Sequence, residues 1–205
     1  MTRLLRIDSS SRTQGSHSRD LADFFEQVWH QKYPTDEITT RDVTQPAIPH
    51  IDEITIAGFQ TPPDQRTDAM KASVALSDTL ISELKQADIL LISTPMYNFS
   101  IPSALKAWVD QIVRAGQTFA MDENGFSGLL TTQIAFVVSA YGAGGYHHDG
   151  PFAALNFVEP YLQGLLSFLG VQEIHHFAAE GMMDTPEAQS LVIEKVQSQI
   201  QAAIG

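Results

Sequence analysis

Between Asp88 and Pro95 the chain reads Ile-Leu-Leu-Ile-Ser-Thr without polar alternation, the pattern of a strand buried on both faces of a parallel sheet. Such a strand needs helices on both sides, and the periodicity around it supplies them. Leu4 to Ile7 reads as the first strand, and Ser18 to about Trp29 as a helix with Leu21, Phe24, Phe25 and Val28 on one face. A second strand is expected over Glu37 to Val43. The Pro-rich, polar segment from Thr44 to Pro63 reads as a long excursion before a helix over Asp68 to Gln86. After the strand at Ile89 to Ser93 come a helix from Ser103 to Arg114, a strand from Gln133 to Ser139, a helix from about Phe152 to Leu169, a strand at Val171 to Phe177 and a last helix over Pro186 to Ala203. Strict alternation predicts an α/β fold: one domain over residues 1–205, with a doubly wound, five-stranded parallel sheet in three α/β/α layers. A ligand is then expected beyond the carboxyl ends of the strands.

Composition narrows the partners. The 205 residues hold no cysteine, which removes disulfides, thiolate nucleophiles and cysteine metal sites together. A net charge of −12 leaves no basic stripe to replace phosphate counterions, so nucleic acid is not an expected partner. The acidity suits solubility, and it would also suit docking to a basic redox partner. No apolar run approaches the roughly 18 residues that span a bilayer, and no secretory pattern precedes the first strand. The expectation is a cytoplasmic protein without a membrane segment.

Three loops at the predicted carboxyl edge carry chemistry. Ser9 to Ser18 joins the first strand to the first helix, and its hydroxyls and helix-terminal amides suit a phosphate dianion. Ser16 or Ser18 would equally serve as a helix cap, and both roles are compatible. It is not a Walker loop, lacking the Gly-Lys-Ser/Thr ending. Pro95-Met96-Tyr97-Asn98-Phe99 follows the central strand, offering aromatic surface and backbone amides to a flat ligand. The residues alone leave open that these aromatics merely cover the sheet edge. Ser139 to Gly150 is glycine-rich, so its backbone can approach a planar ligand closely. The adjacent pairs His147-His148 and His175-His176 lack metal-ligand spacing, and no metal site is expected.

Taken together, Ser9-Ser10, Ser16-His17-Ser18, Met96-Tyr97-Asn98-Phe99, Arg114-Ala115-Gly116 through Thr118-Phe119, Glu123-Asn124-Gly125, and His147 followed by Asp149-Gly150-Pro151 resemble the FMN-dependent NADH-azoreductase and NADH:quinone reductase family, part of the wider flavodoxin-like group. The resemblance covers nearly the whole chain. It implies non-covalent FMN, held by Ser10, Ser16, His17 and Ser18 at the phosphate and by Pro95, Met96, Tyr97, Asn98, Phe99, Ser139, Gly144, Gly145 and His147 around the ring. The chain departs from the family pattern at Ala140, which stands where relatives usually carry arginine, and in extra residues before Gly144-Gly145.

The same resemblance implies an enzyme that takes two electrons from NADH or NADPH and passes them, in ping-pong fashion, to quinones and aromatic azo compounds. FMN would carry the chemistry, with no protein acid or base nominated and His147 the candidate catalytic residue, holding the pyrimidine edge or developing charge. A homodimer with shared active sites is implied too, and Phe119, Phe126, Tyr161 and Phe168 are candidate walls across its interface. Two other readings compete: a flavodoxin-like electron carrier and a flavin-binding regulatory protein. The segments Thr44 to Pro63 and Gln117 to Gly128 favour the enzyme, since they add walls that a minimal carrier does not require.

Overall fold

The computed structural model describes residues 1–123, 125–147 and 149–205. Asn124 of the Glu123-Asn124-Gly125 motif and His148 of the histidine pair lie outside the described residues. The strands in chain order are β1 (Arg3–Asp8), β2 (Glu37–Asp42), β3 (Ile89–Pro95), β4 (Phe119–Asp122), β5 (Gly125–Gly128), β6 (Ile134–Ala140) and β7 (Glu173–Ala179). All but β4 and β5 form one parallel sheet in the order β2-β1-β3-β6-β7. The strand order reverses beside β1, and the crevice there is where doubly wound sheets bind ligands.

Strand side chains alternate between two hydrophobic cores. Leu5, Ile7, Leu90, Ile92, Ala135 and Val137 pack under α3 (Asp68–Gln86), α4 (Ser103–Ile112) and α5 (Glu159–Leu169). Leu4, Ile89, Leu91, Phe136 and Val138 pack against α1 (His17–Lys32) and α6 (Pro186–Ile204) on the other face. The central strand β3 is buried through its first six residues, which is why it carries no polar alternation. Each of Leu90, Leu91 and Ile92 is fully buried, and such burial stabilises by about 1.5–3 kcal/mol per side chain. Among the described residues, no helix is long and apolar enough to cross a membrane.

Two expectations are corrected and one element is added. The excursion at 44–63 contains a further helix, α2 (Glu53–Gln60), capped by Asp52, whose side chain accepts from the Thr55 amide at 2.8 Å. Its buried positions are Thr55 and Gly58, whereas Ile54 and Ile56 face solvent, so the helix shows no apolar stripe in sequence. Gly58 is needed because a Cβ there would lie 2.6 Å from Val74 Cγ1 on α3. The helix expected from Phe152 starts instead at Glu159. Residues Ala153–Leu155 form a single 3₁₀ turn, and the buried Asn156 accepts from the Val158 and Glu159 amides through Oδ1. Pro160 fits the first turn of α5, where its missing N–H costs nothing. Finally, 119–128 is an antiparallel hairpin of β4 and β5, packed on α5 through Phe119, Phe126 and Phe168 with ring centroids 5.0–6.0 Å apart.

Candidate functional site

A cleft of about 270 Å³ opens at the carboxyl ends of β1, β3, β6 and β7. The first loop lines it with Arg12 and Gly15 to Ser18, the second with Pro95, Met96 and Tyr97, and the third with Ala140, Tyr141 and Gly142; Met182 and Met183 close the far side. Although the chain carries a net charge of −12, the described lining contains Arg12 and no carboxylate. An anion is therefore matched here against the trend of the whole surface.

The first turn of α1 forms the phosphate end. Ser16 is the N-cap by position and is buried, yet its hydroxyl makes no cap hydrogen bond; its Oγ faces Ser18 Oγ at 3.4 Å. Asp20 N to Ser16 O, at 2.9 Å, is the first helical bond, so the amides of His17, Ser18 and Arg19 precede the ladder. Two buried hydroxyls and three such amides beside an arginine have the chemistry a phosphate dianion requires. Gly15, at φ +61°, has nothing within 4 Å of the point where a Cβ would stand, leaving the turn open to a ligand. Ser10 plays another part: its buried Oγ accepts from the Arg12 amide at 3.2 Å and shapes the loop from behind.

The turn after β3 is strained. Tyr97 and Ser100 exchange backbone hydrogen bonds of 2.9 and 3.2 Å, and the two residues between them, Asn98 and Phe99, have φ of +49° and +73°. Positive φ at both central positions defines a type I′ turn, which Asn tolerates and a bulky Phe rarely adopts. A strained backbone beside a ligand cleft is a mark of function. The turn sends Tyr97 into the cleft and Phe99 towards Tyr146, with ring centroids 6.5 Å apart.

The third loop reaches the cleft through its beginning rather than its glycine pair. Tyr141 is fully buried; its amide donates to Ala179 O at 2.8 Å and its carbonyl accepts from Met182 N at 2.9 Å, locking the loop to the segment after β7. Burial pushes the Tyr141 phenol up to about 12, so it stays neutral beside Ser139, whose Oγ lies 3.3 Å from the phenol oxygen. Thus Ser16, His17, Ser18, Pro95, Met96 and Tyr97 are brought together as expected, whereas Ser10, Asn98, Phe99, Ser139, Gly144, Gly145 and His147 do not line the cleft. His147 turns to a second cavity of about 380 Å³, where its Nδ1 lies 2.8 Å from Glu159 Oε2 and its ring stands edge-on to Tyr141. His176 lines that cavity too, and burial holds its imidazole below the usual histidine range.

Sequence reasoning missed Arg12, Gly15, Ala140, Tyr141, Gly142, Met182 and Met183 as lining residues. The first five lie inside loops already singled out. The two methionines follow the last strand of the sheet, and applying the carboxyl-edge rule to that strand as well would have found them.

Residues 2–204 match a family described by its flavodoxin-like fold. The chain is 49% identical over 174 residues to the FMN-dependent NADH:quinone oxidoreductase of Xanthobacter autotrophicus, covering 85% of this chain and 84% of that protein. It is 43% identical over 201 residues to the protein of the same name from Hydrogenovibrio crunogenus, covering 98% of each. Among solved structures, the azoreductase from Bacillus anthracis str. Sterne superposes with a TM-score of 0.91 at 22% identity, covering 100% of this chain and 99% of that one. The FMN-dependent NADH-azoreductase from Bacillus anthracis str. Ames Ancestor, solved in complex with FMN, gives 0.87 at 22%, covering 100% and 98%. At that identity the likeness is one of fold.

Proposed function

The chain belongs to the FMN-dependent NADH:quinone oxidoreductases of flavodoxin-like fold, and from that premise we propose that it oxidises NADH and reduces quinones and aromatic azo compounds through FMN held in the 270 Å³ cleft. The observation that carries the reading is the buried, non-capping Ser16 hydroxyl at the N-terminus of α1, lining the same cleft as Tyr97. A phosphate monoester at the first and a flat ring against the second describe FMN. Bound there, FMN supplies the two-electron chemistry between nicotinamide and acceptor.

The protein's own residues bind and exclude. Ser16, Ser18, Arg12 and the first amides of α1 would hold the phosphate, while Met96 and Tyr97 would offer apolar surface to the ring. Tyr141, neutral and fully buried, would back the cleft without adding charge. With a single cleft for both, donor and acceptor would enter in turn, and the expected kinetics are ping-pong. The cytoplasm, where nicotinamide donors are maintained, is the matching compartment.

A second copy of the chain completes the site. Phe99, Phe152, Leu155 and Phe157 are each 39–53% exposed, and the Phe157 amide donates to Phe99 O at 3.0 Å, making one apolar patch beside Tyr97. An exposed aromatic patch next to a cleft is what a self-complementary dimer covers. Phe126, 63% exposed on the hairpin, is the wall one copy would lend the other.

Anaerobic stopped-flow mixing tests the reading. NADH should bleach the bound flavin rapidly, and a benzoquinone should restore its colour. Sluggish reduction by both NADH and NADPH would mark an electron carrier instead.

A further inference from the structure

Below the phosphate turn lies a set of charges that binds no ligand in the proposed function. Arg6 and Asp8 on β1 are about 5% and 4% exposed, and Arg6 Nε lies 3.0 Å from Asp8 Oδ1. Arg6 also reaches Asp23 at 2.6 Å and Glu26 at 3.0 Å on α1. Arg19, three residues beyond the N-cap Ser16, makes three contacts. Its Nη1 lies 3.2 Å from Asp8 Oδ2, its Nη2 lies 2.8 Å from Asp42 Oδ2, and the same Nη2 donates to the Ser10 carbonyl at 2.7 Å. Four carboxylates thus face two guanidinium groups, so the set as a whole is negative.

That sign decides what Arg19 can do. A cation outweighed by carboxylates is a poor long-range attractor for phosphate, so its value must be geometric. In a turn that holds an anion, carbonyl oxygens have to point away from it. Arg19 takes one of them, Ser10 O, into a buried grip. Because the peptide unit is planar and trans, turning the Ser10 carbonyl to Arg19 sets the Ser11 N–H on the opposite side of the plane. Guanidinium is suited to this, since its rigid fork reaches two carboxylates and a carbonyl at once. The inner part of the set, Arg6, Asp8 and Arg19, is nearly buried, and a buried ion pair is an expensive means of stabilising a fold, because its desolvation offsets most of its attraction.

We infer that Arg19 is a positioning residue for the phosphate turn: held by Asp8 and Asp42, it fixes the Ser10–Ser11 peptide in the orientation that selects a phosphate-bearing flavin over an unphosphorylated one. This rests on the FMN reading of the cleft.

The test compares FMN with riboflavin on the full-length protein, measuring affinity by fluorescence quenching of each flavin. Arg19→Met should weaken FMN roughly tenfold or more, the scale of a lost charge-assisted hydrogen bond. Riboflavin affinity should change less than about twofold, because riboflavin has no phosphate for the turn to hold. Arg19→Lys keeps the charge but loses the fork, and should weaken FMN nearly as much as Arg19→Met; rescue by Lys would overturn the geometric role. Equal losses for both flavins would reduce Arg19 to a structural part. Should Arg19→Met not fold, Asp42→Asn, which removes one anchor of the fork while leaving Arg19 in place, should shift the FMN-to-riboflavin ratio in the same direction; an unchanged ratio would refute the inference. Failure of the wild type to bind FMN at all would instead refute the cleft assignment.

Discussion

Arg114 Nη1 donates to the fully buried Ser77 hydroxyl at 2.8 Å, and Ser77 Oγ in turn donates to Gln111 O at 2.5 Å. The same guanidinium lies 2.6 Å from Asp78 and 4.5 Å from the centroid of the Phe59 ring. One side chain at the end of α4 thereby joins α2, α3 and α4. Arg114→Met should destabilise the protein by about 2–3 kcal/mol, since it removes a charge-assisted bond to the buried Ser77 hydroxyl together with the Asp78 pair, while Ser77 keeps its bond to Gln111 O. Urea unfolding of the flavin-free protein checks this; a loss under about 1 kcal/mol would show that the helices hold each other without it.

Ser16→Ala with Ser18→Ala separates ligand binding from capping. An N-cap hydroxyl that bonds its helix contributes about 1 kcal/mol. Ser16 makes no such bond, so the apoprotein's midpoint temperature should hardly move. FMN retention on dialysis should fall sharply. A large loss of thermal stability with unchanged FMN binding would return both serines to a structural role.

Phe99→Gly relieves a strained backbone. At φ +73° a bulky residue costs of order 1 kcal/mol or more that glycine does not. The change creates Asn-Gly, the favoured pair for a type I′ turn. Monomer stability should rise by about 1 kcal/mol, read from chemical denaturation at low protein concentration. The accompanying loss of an exposed aromatic should weaken self-association.

Phe157→Asp addresses the dimer directly. Phe157 is 53% exposed, so the charge costs the monomer little, whereas at a covered interface it is strongly unfavourable. Light scattering at micromolar concentration should show the wild type at twice 22.5 kDa and the variant at once. Identical masses would place the interface elsewhere.

Asp42 sets an acid-sensitive contribution. Burial acts to raise its carboxyl, but hydrogen bonds from the Thr44 hydroxyl and amide, with the Arg19 pair, outweigh it and hold the group below the usual range. A carboxyl depressed in the folded state contributes stability that is complete above its unfolded value, about 3.9, and disappears as pH falls through the lower folded value. The stability gap between wild type and Asp42→Asn should therefore be constant near neutrality and shrink below about pH 4. A gap that stays constant down to about pH 2 would contradict the linkage.

The sheet was legible because burial on both faces forces unbroken apolar runs, as at Ile89 to Ile92, and the loops after β1, β3 and β6 could be located from it. The elements that escaped are those whose order comes from tertiary contact. Helix α2 buries Thr55 and Gly58 instead of its isoleucines, so no apolar period announces it. The start of α5 depends on the Asn156 side chain capping two amides, which competes with a helical reading of Phe152 to Leu155. His147 was legible as a motif residue but not in its orientation, which a carboxylate twelve positions later decides through the 2.8 Å contact with Glu159.

Gly128 meets the backbone at the end of α5 so closely that a Cβ on it would stand 2.2 Å from Gly170 N. The hairpin is thus riveted at its root, with no room for even a methyl group, while Met121 and Phe126 near its tip are 70% and 63% exposed. Root and tip therefore differ in tolerance: a side chain at 128 would swing the whole arm, whereas a change at Met121 re-dresses the arm without moving it. The arm's outward face can therefore be altered at Met121 at almost no cost to the fold that carries it.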